Sequence, residues 1–348
     1  MSVAFVLAAA AALGHPARSE GSAVRDAGPA FARTRAPHVS HTRPVAPLRA
    51  TRQGGATYVV IITGASGEPQ YAQSFLAAAQ AIDEAARTRF NVPADAVIWL
   101  GEDTTKASGR IRGRSTRENV ERELGALAAR VRPGDQVWVV LIGHGSGEGE
   151  QSRFNLVGPD LTAADFARLL GGFAKQQVAF VNASSASGDF AKVLAAPNRV
   201  VVTATKSALE RNESLFARHF AAALKDAAAD VDKDGRVSLR EAFDYAKREV
   251  ARAYETDNRL LTEHAQLDDA GSLASVLALG GGTTSTDPKV VALVGERRAL
   301  EAQVAALRAR KESMDAAAYD TQLEALLLDL ARKNQAIRAA EAAGGRKP

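Results

Sequence analysis

With 348 residues and no cysteine, the chain is long enough for a sizeable core but can form no disulfide, no thiolate metal site and no thiol nucleophile. Hydrophobic residues at 46% and charged residues at 24% give an ordinary globular balance. The formal charge of +4 is small for this length, and much of it is local.

The opening residues 1–20, MSVAFVLAAAAALGHPARSE, hold a short apolar run followed by a polar break. The run is too short to span a bilayer and suits the h-region of a signal peptide, although no Lys or Arg precedes it. A leader of this kind implies export, to a periplasm or outside the cell; without it the protein is cytoplasmic. No transmembrane helix is expected. Residues 21–55 read as a disordered basic linker. Across 17–55, Arg18, Arg25, Arg33, Arg35, Arg43, Arg49 and Arg52 face only Glu20 and Asp26, and Pro29, Pro37, Pro44 and Pro47 break any periodicity. The segment lacks the interleaved aromatics that stacking on bases requires, so no nucleic-acid partner is expected.

From Thr57 to about Glu249 short β-rich runs alternate with amphipathic helical ones. Strands are expected over 57–66, 96–102 and 136–145, and again in QQVAFVNAS and RVVVTATKS. Helices are expected over 71–90 and 115–131, and in LTAADFARLLGGF and FARHFAAALKD. The helix at 115–131 opens on a capping box, with Ser115 as N-cap and Glu118 three residues on. QVWVVLIGHG is nearly all apolar, which predicts a central strand buried on both faces. The alternation predicts an α/β domain over 56–272, a mostly parallel sheet with helices on both faces.

A linker is expected over 273–288, and residues 289–341 read as an antiparallel helical hairpin or coiled coil. Val290, Leu293, Leu300, Val304 and Leu307 fit the a and d positions of one register; Tyr319, Leu323, Leu326, Leu330 and Ile337 fit a second. Arg297 and Lys333 also fall on a/d positions. Such a tail either packs on its own domain or serves self-association or partner docking.

Three stretches carry candidate chemistry. ITGASGEPQ has Gly64 and Gly67, but Glu68 and Pro69 stand where a dinucleotide fingerprint needs its third glycine. LIGHGSGEG places His144 at the carboxyl end of the buried strand, where a general base and the unhindered N–H of Gly145 could serve an acyl-transfer site. FVNASSASG puts Ser184, Ser185 and Ser187 at the end of the next strand. Neighbouring strands lie about 5 Å apart, so a serine and His144 can meet. Serines are also ordinary turn residues. Asp189 and Glu148 are the carboxylates closest in sequence.

A strand ending in His-Gly, followed by a strand whose turn ends in Ser-Gly, resembles the caspase-like fold and specifically the legumain family of cysteine peptidases, over roughly residues 57–270. The resemblance implies that His144 holds the position of the base and Gly145 that of an oxyanion donor. Ser187 and Gly188 match the Ser-Gly pair, and Ser185 falls where the family keeps its cysteine. VVTATKSALERNES resembles the strand and loop that line the family's cleft, and LLTEHAQLDDAG is similar to a late segment of bacterial relatives. Gly143 replaces an acidic residue common before the histidine, and GASGEPQYAQ holds no arginine to read an asparagine or acidic side chain.

A cysteine with a pKa near about 8.5 forms thiolate with histidine alone. A serine needs an oriented histidine and a strong oxyanion hole. The expectation is therefore a pseudopeptidase that binds a peptide or protein. The alternatives are a serine endopeptidase using Ser185 and His144, with the N–H groups of Gly145 and Ser185 as oxyanion donors, and a calcium-stabilised scaffold acting through its tail.

DVDKDGRVSLRE, residues 230–241, matches the twelve-residue EF-hand loop. Asp230, Asp232 and Asp234 take positions 1, 3 and 5, and Gly235 makes the turn. Arg236 offers its carbonyl, Ser238 takes position 9, and Glu241 takes the bidentate position 12. Ca²⁺ is the expected ion, and no organic cofactor is expected. The plainer reading is an Asp-rich loop that caps the exiting helix. His219 and His264 are read as structural, and His15, His38 and His41 fall in the leader and linker.

Overall fold

The computed structural model describes residues 55–148, 151–231, 236–270, 273–279 and 287–344. The leader, nearly all of the basic linker, part of the 273–288 linker, and Asp232, Asp234 and Gly235 lie outside the described residues.

The strand expected at 136–145 forms as β4 (Gln136–Ile142), and it organises the sheet. It lies between β1 (Thr57–Thr63) and β8 (Gln177–Asn182), pairing in parallel with both. Beyond β1 come β2 (Val97–Gly101) and β3 (Gly113–Arg114); beyond β8 come β9 (Arg199–Thr203) and β10 (Gln266–Asp268). Among the described residues of this sheet only β10 runs antiparallel, against β9. Period-2 alternation sorts the side chains to two faces. Val59, Ile61, Trp138, Val140, Val181 and Val202 pack under α1 (Pro69–Glu84), α5 (Phe216–Ala223) and α6 (Leu239–Thr256). Val60, Ile62, Val139, Phe180 and Val201 pack under α2 (Arg117–Arg130), α3 (Ala163–Leu170) and α4 (Asp189–Leu194). Residues 137–142 of β4 are all buried, as a strand covered on both faces must be.

Two local expectations are corrected. The helix at 115–131 is capped by Thr116, whose hydroxyl accepts from Asn119 N–H at 3.3 Å, and not by Ser115. The Ser115 amide donates to Gly101 O at 2.9 Å and its carbonyl accepts from Val157 N–H at 3.0 Å, so Ser115 still belongs to the sheet edge. It is fully buried, with its hydroxyl unpartnered. The strand expected to run through 145 ends at Ile142, and the glycine-rich stretch after His144 forms β5 (Gly145–Glu148) of a small antiparallel sheet with β6 (Gln151–Phe154) and β7 (Leu161–Thr162).

The C-terminal residues form α7 (Pro288–Ala309) and α8 (Ala316–Gly344), packed antiparallel, with Val290 and Val294 buried against Ile337 and Ala340. Arg297, on the expected seam, is buried beside Glu301 at 3.4 Å, and Glu301 also takes Arg236 from the main domain. Lys333 pairs with Glu296 across the two helices.

The capping assignment is testable. Thr116→Ala should cost about 1 kcal/mol in urea denaturation. Ser115→Ala, which removes a buried hydroxyl without a partner, should be close to neutral. The reverse order would return the cap to Ser115.

Candidate active site

The chain leaves β4 through Gly143 and His144 and leaves β8 through Ala183–Gly188, so both segments emerge at the same edge of the sheet. They touch. A Cβ on Gly145 would lie 2.1 Å from the Ser185 carbonyl oxygen and 2.9 Å from Ser184 Oγ, so only glycine allows this approach.

The His144 ring is half-buried and packs edge-on against Tyr71 at 4.7 Å and Phe75 at 5.0 Å, both from α1. Its Nε2 lies 3.2 Å from the backbone carbonyl of Ser66. Donation there places the proton on Nε2 and leaves Nδ1 as the basic nitrogen. Ser66 is fixed in turn by Glu102, whose Oε2 accepts from the Ser66 hydroxyl at 2.6 Å and its amide at 3.3 Å. A main-chain oxygen therefore orients the imidazole. Asp189 does not: its carboxylate accepts from Ser152 Oγ at 3.0 Å. The side chain of Glu148 lies outside the described ones.

The three serines have different partners. Ser184 Oγ donates to Asn182 Oδ1 at 2.7 Å. Ser187 shares a hydrogen bond with Thr205 Oγ1 at 3.2 Å. Ser185, only 2% exposed, accepts the Gly145 N–H at 3.2 Å and donates to the Gly145 carbonyl at 3.3 Å. The Ser185 N–H has no acceptor among the described residues. Gly145 and Ser185 are thus brought into contact, whereas no hydrogen bond joins His144 to Ser184, Ser185 or Ser187 among the described residues.

Ala186, immediately after Ser185, has φ of 50°, a left-handed conformation that costs a non-glycine residue about 1–2 kcal/mol. The loop after β9 holds it there. Ala186 N–H donates to Glu210 O at 2.7 Å, and Ser187 N–H donates to Thr205 Oγ1 at 2.7 Å. Glu210 also accepts from His264 Nδ1 at 2.6 Å, so His264 ties this loop to the start of β10. Glu263 caps α5, accepting from the Ser214 hydroxyl and the amides of Leu215 and Phe216. Burial nonetheless pushes its carboxyl pKa up. A cleft of about 500 Å³ is lined by Gly64, Phe75, Leu76, Glu102 and Ile111 among others; His144 does not line it but packs against Phe75.

At the Asp-rich loop, Glu241 Oε1 accepts from Val231 N–H at 2.8 Å, and Oε2 accepts from both the amide and the hydroxyl of Ser238 at 2.8 Å. Ser238 and Glu241 form the capping box of α6. Ser238 also bridges Ala278, and Leu239 N–H donates to Leu277 O at 2.7 Å. Among the described residues no group of three or more acidic, histidine or cysteine side chains is placed to hold a metal, and Asp232 and Asp234 lie outside them.

Ser66, Glu102, Tyr71 and Phe75 escaped sequence reasoning. Ser66 sits in the stretch tested for phosphate binding, and it acts through a carbonyl that any residue supplies. Tyr71 and Phe75, spaced i,i+4 on a helix, are the one signal that marked an aromatic pair on a common face.

No family model matches this sequence, and no curated protein does. Among solved structures, the chain is similar to protein GSU0716 from Geobacter sulfurreducens at 14% identity and a TM-score of 0.39, covering 61% of this chain and 92% of that one. It is also similar to the Drosophila initiator caspase Dronc at 9% identity and a TM-score of 0.39, covering 63% of this chain and 81% of that one. At that level neither likeness speaks to activity. The fold class expected from sequence, a mostly parallel sheet with helices on both faces and a helical C-terminus, is the one observed. No helix of the described residues is long and apolar enough to cross a membrane.

Gly145→Ala should destabilise the protein by about 1–3 kcal/mol, because the new methyl displaces the 184–185 backbone. Unchanged unfolding in denaturant would show that the two segments are not packed together.

Proposed function

We propose that the chain is a legumain/caspase-type peptidase homologue with Ser185 at the nucleophile's place, a pseudopeptidase that holds a peptide or protein without cutting it. The observation that carries this reading is the double hydrogen bond between the Ser185 hydroxyl and the Gly145 backbone. A general base acts on a proton within about 2.6–3.2 Å, and the Ser185 hydroxyl is turned to Gly145 rather than to His144. The same bond occupies the Gly145 N–H that an oxyanion would need.

The serine-endopeptidase reading draws on two other observations. The Ser185 N–H is free of acceptors among the described residues, and Ser66 O leaves His144 Nδ1 basic. It requires Ser185 to rotate away from Gly145 toward Nδ1.

Ca²⁺ at 230–241 is the second part of the proposal, held by Asp230, Asp232, Asp234, the Arg236 carbonyl, Ser238 and Glu241. Two features support it. Glu241 already reaches back to Val231 N–H at the loop's start, and residues 277–278 pair with the loop's exit, as the second loop of an EF-hand pair would. The α7–α8 pair is proposed as an arm for self-association or for a partner.

Hydrolysis of a broad fluorogenic peptide library by wild type, Ser185→Ala and Ser185→Cys, with and without Ca²⁺, tests the first part. The expected result is a silent wild type and an active Ser185→Cys. Wild-type turnover that vanishes in Ser185→Ala would establish the serine peptidase; silence in all three would sink both peptidase readings. For the second part, calorimetric titration should show one Ca²⁺ site. At about 100-fold excess over Kd, Ca²⁺ should raise stability by about 2.7 kcal/mol. Glu241→Gln, which keeps the cap, should weaken binding about ten-fold or more. No heat and no stabilisation would leave the loop as a cap alone.

A further inference from the structure

At the far edge of the sheet, away from His144, a cleft of about 620 Å³ runs beside β10. Among the described residues no strand pairs the outer side of β10, so its backbone groups there are open. The two walls differ. Leu267 pairs with Val202 and faces α6, which presents Arg240, Phe243 and Lys247 along one stripe at i, i+3 and i+7. Asp268 pairs with Val201 and faces the side of α4, where Ala191 completes the wall.

The charges are open in the same way. Lys206 and His264, at the cleft's upper end, share the carboxylate of Glu210. Arg240 and Lys247 have no carboxylate within 4.0 Å among the described residues; Lys247 lies 5.8 Å from the Phe243 ring centroid. On the opposite wall, Asp268 Oδ1 is shut from solvent with no donor.

We propose that this edge binds an extended acidic segment of a partner protein, added as a further strand beside β10. Main-chain hydrogen bonds would come from the open edge, and specificity from alternate side chains. On the α6 side the segment places Asp or Glu against Arg240 and Lys247. On the α4 side it places small uncharged residues beside Ala191, since Asp268 on that wall repels a further carboxylate.

Charge disfavours two other occupants. The chain's own 17–55 segment carries seven arginines against Glu20 and Asp26, the wrong sign for this stripe. A second copy paired about a two-fold axis would bring Arg240 and Lys247 toward their own equivalents. The proposal concerns a surface apart from the His144 site and does not depend on the pseudopeptidase reading.

The test is fluorescence anisotropy of a labelled peptide of alternating Glu and Ser, titrated with the full chain. Saturable binding is expected, and an alternating Lys-Ser peptide should not bind. Binding should weaken as ionic strength rises from about 0.01 to about 0.1 M, where the screening length falls from about 30 to about 10 Å. The double variant Arg240→Glu/Lys247→Glu, at a half-buried and an exposed position and checked for an unchanged unfolding midpoint, should bind about ten-fold or more weakly. N-methylation of alternate peptide amides should abolish binding, because it blocks strand addition while leaving charge intact.

Binding unaffected by the double variant, or by N-methylation, would overturn the proposal. So would a concentration-dependent dimer in sedimentation that the double variant dissolves, since a second copy would then be the occupant.

Discussion

A strand buried on both faces has no water to satisfy its backbone and must find hydrogen-bond partners along both edges. In β4 this demand is met by in-register parallel pairing with β1 on one side and β8 on the other. The register is fixed because a slip of one residue would carry Trp138 and Val140 to the opposite helix layer. Everything at the candidate site follows from it. Leu141 opposite Asn182 brings His144 and the serine turn out of the sheet side by side, and Ile62 opposite Leu141 brings Ser66 round to the imidazole.

At that edge the chemistry depends on what a hydroxyl does that a thiol does not. Sulfur is a weak hydrogen-bonding partner. A hydroxyl both donates and accepts well, and at 2% exposure it must find partners or bear the desolvation of an unmade bond. The nearest partners are the N–H and carbonyl of Gly145, held close because that position carries no Cβ. Serine is thus held by the Gly145 backbone, and under the pseudopeptidase reading proposed above that contact withholds the Gly145 N–H from an oxyanion.

How much of this could be read in the sequence depends on which atoms do the work. The sheet was legible because runs such as QVWVVLI and QVAFVN declare burial through side chains, but the strand ends were less so: β1 and β4 stop at Thr63 and Ile142, three residues short of the expected 66 and 145. The small β5–β6–β7 sheet was not, since Gly145, Ser146 and Gly147 look like turn residues and are held as a strand by pairing with 152–154. The cap slipped from Ser115 to Thr116 because both residues are good caps and only the edge hydrogen bonds of Ser115 decide between them. The orienting oxygen of Ser66 left no mark at all, because a carbonyl belongs to every residue.

The charged residues on the expected hydrophobic seam follow the same logic. Arg297 at an a/d position reads as a flaw in a coiled coil. With Glu301, which also receives Arg236, it instead forms a buried ionic cluster where the helical pair meets the loop that ends at Glu241. Replacing such a cluster with apolar residues is often neutral or stabilising, whereas removing a single partner leaves an uncompensated buried charge. Its consequence is therefore specificity of docking more than strength: Arg236 belongs to the 230–241 loop proposed above to hold Ca²⁺, so the backbone of that loop also carries the side chain that anchors α7. Any change of that loop's conformation on binding an ion must be transmitted through Arg236 to Glu301, or be resisted by it.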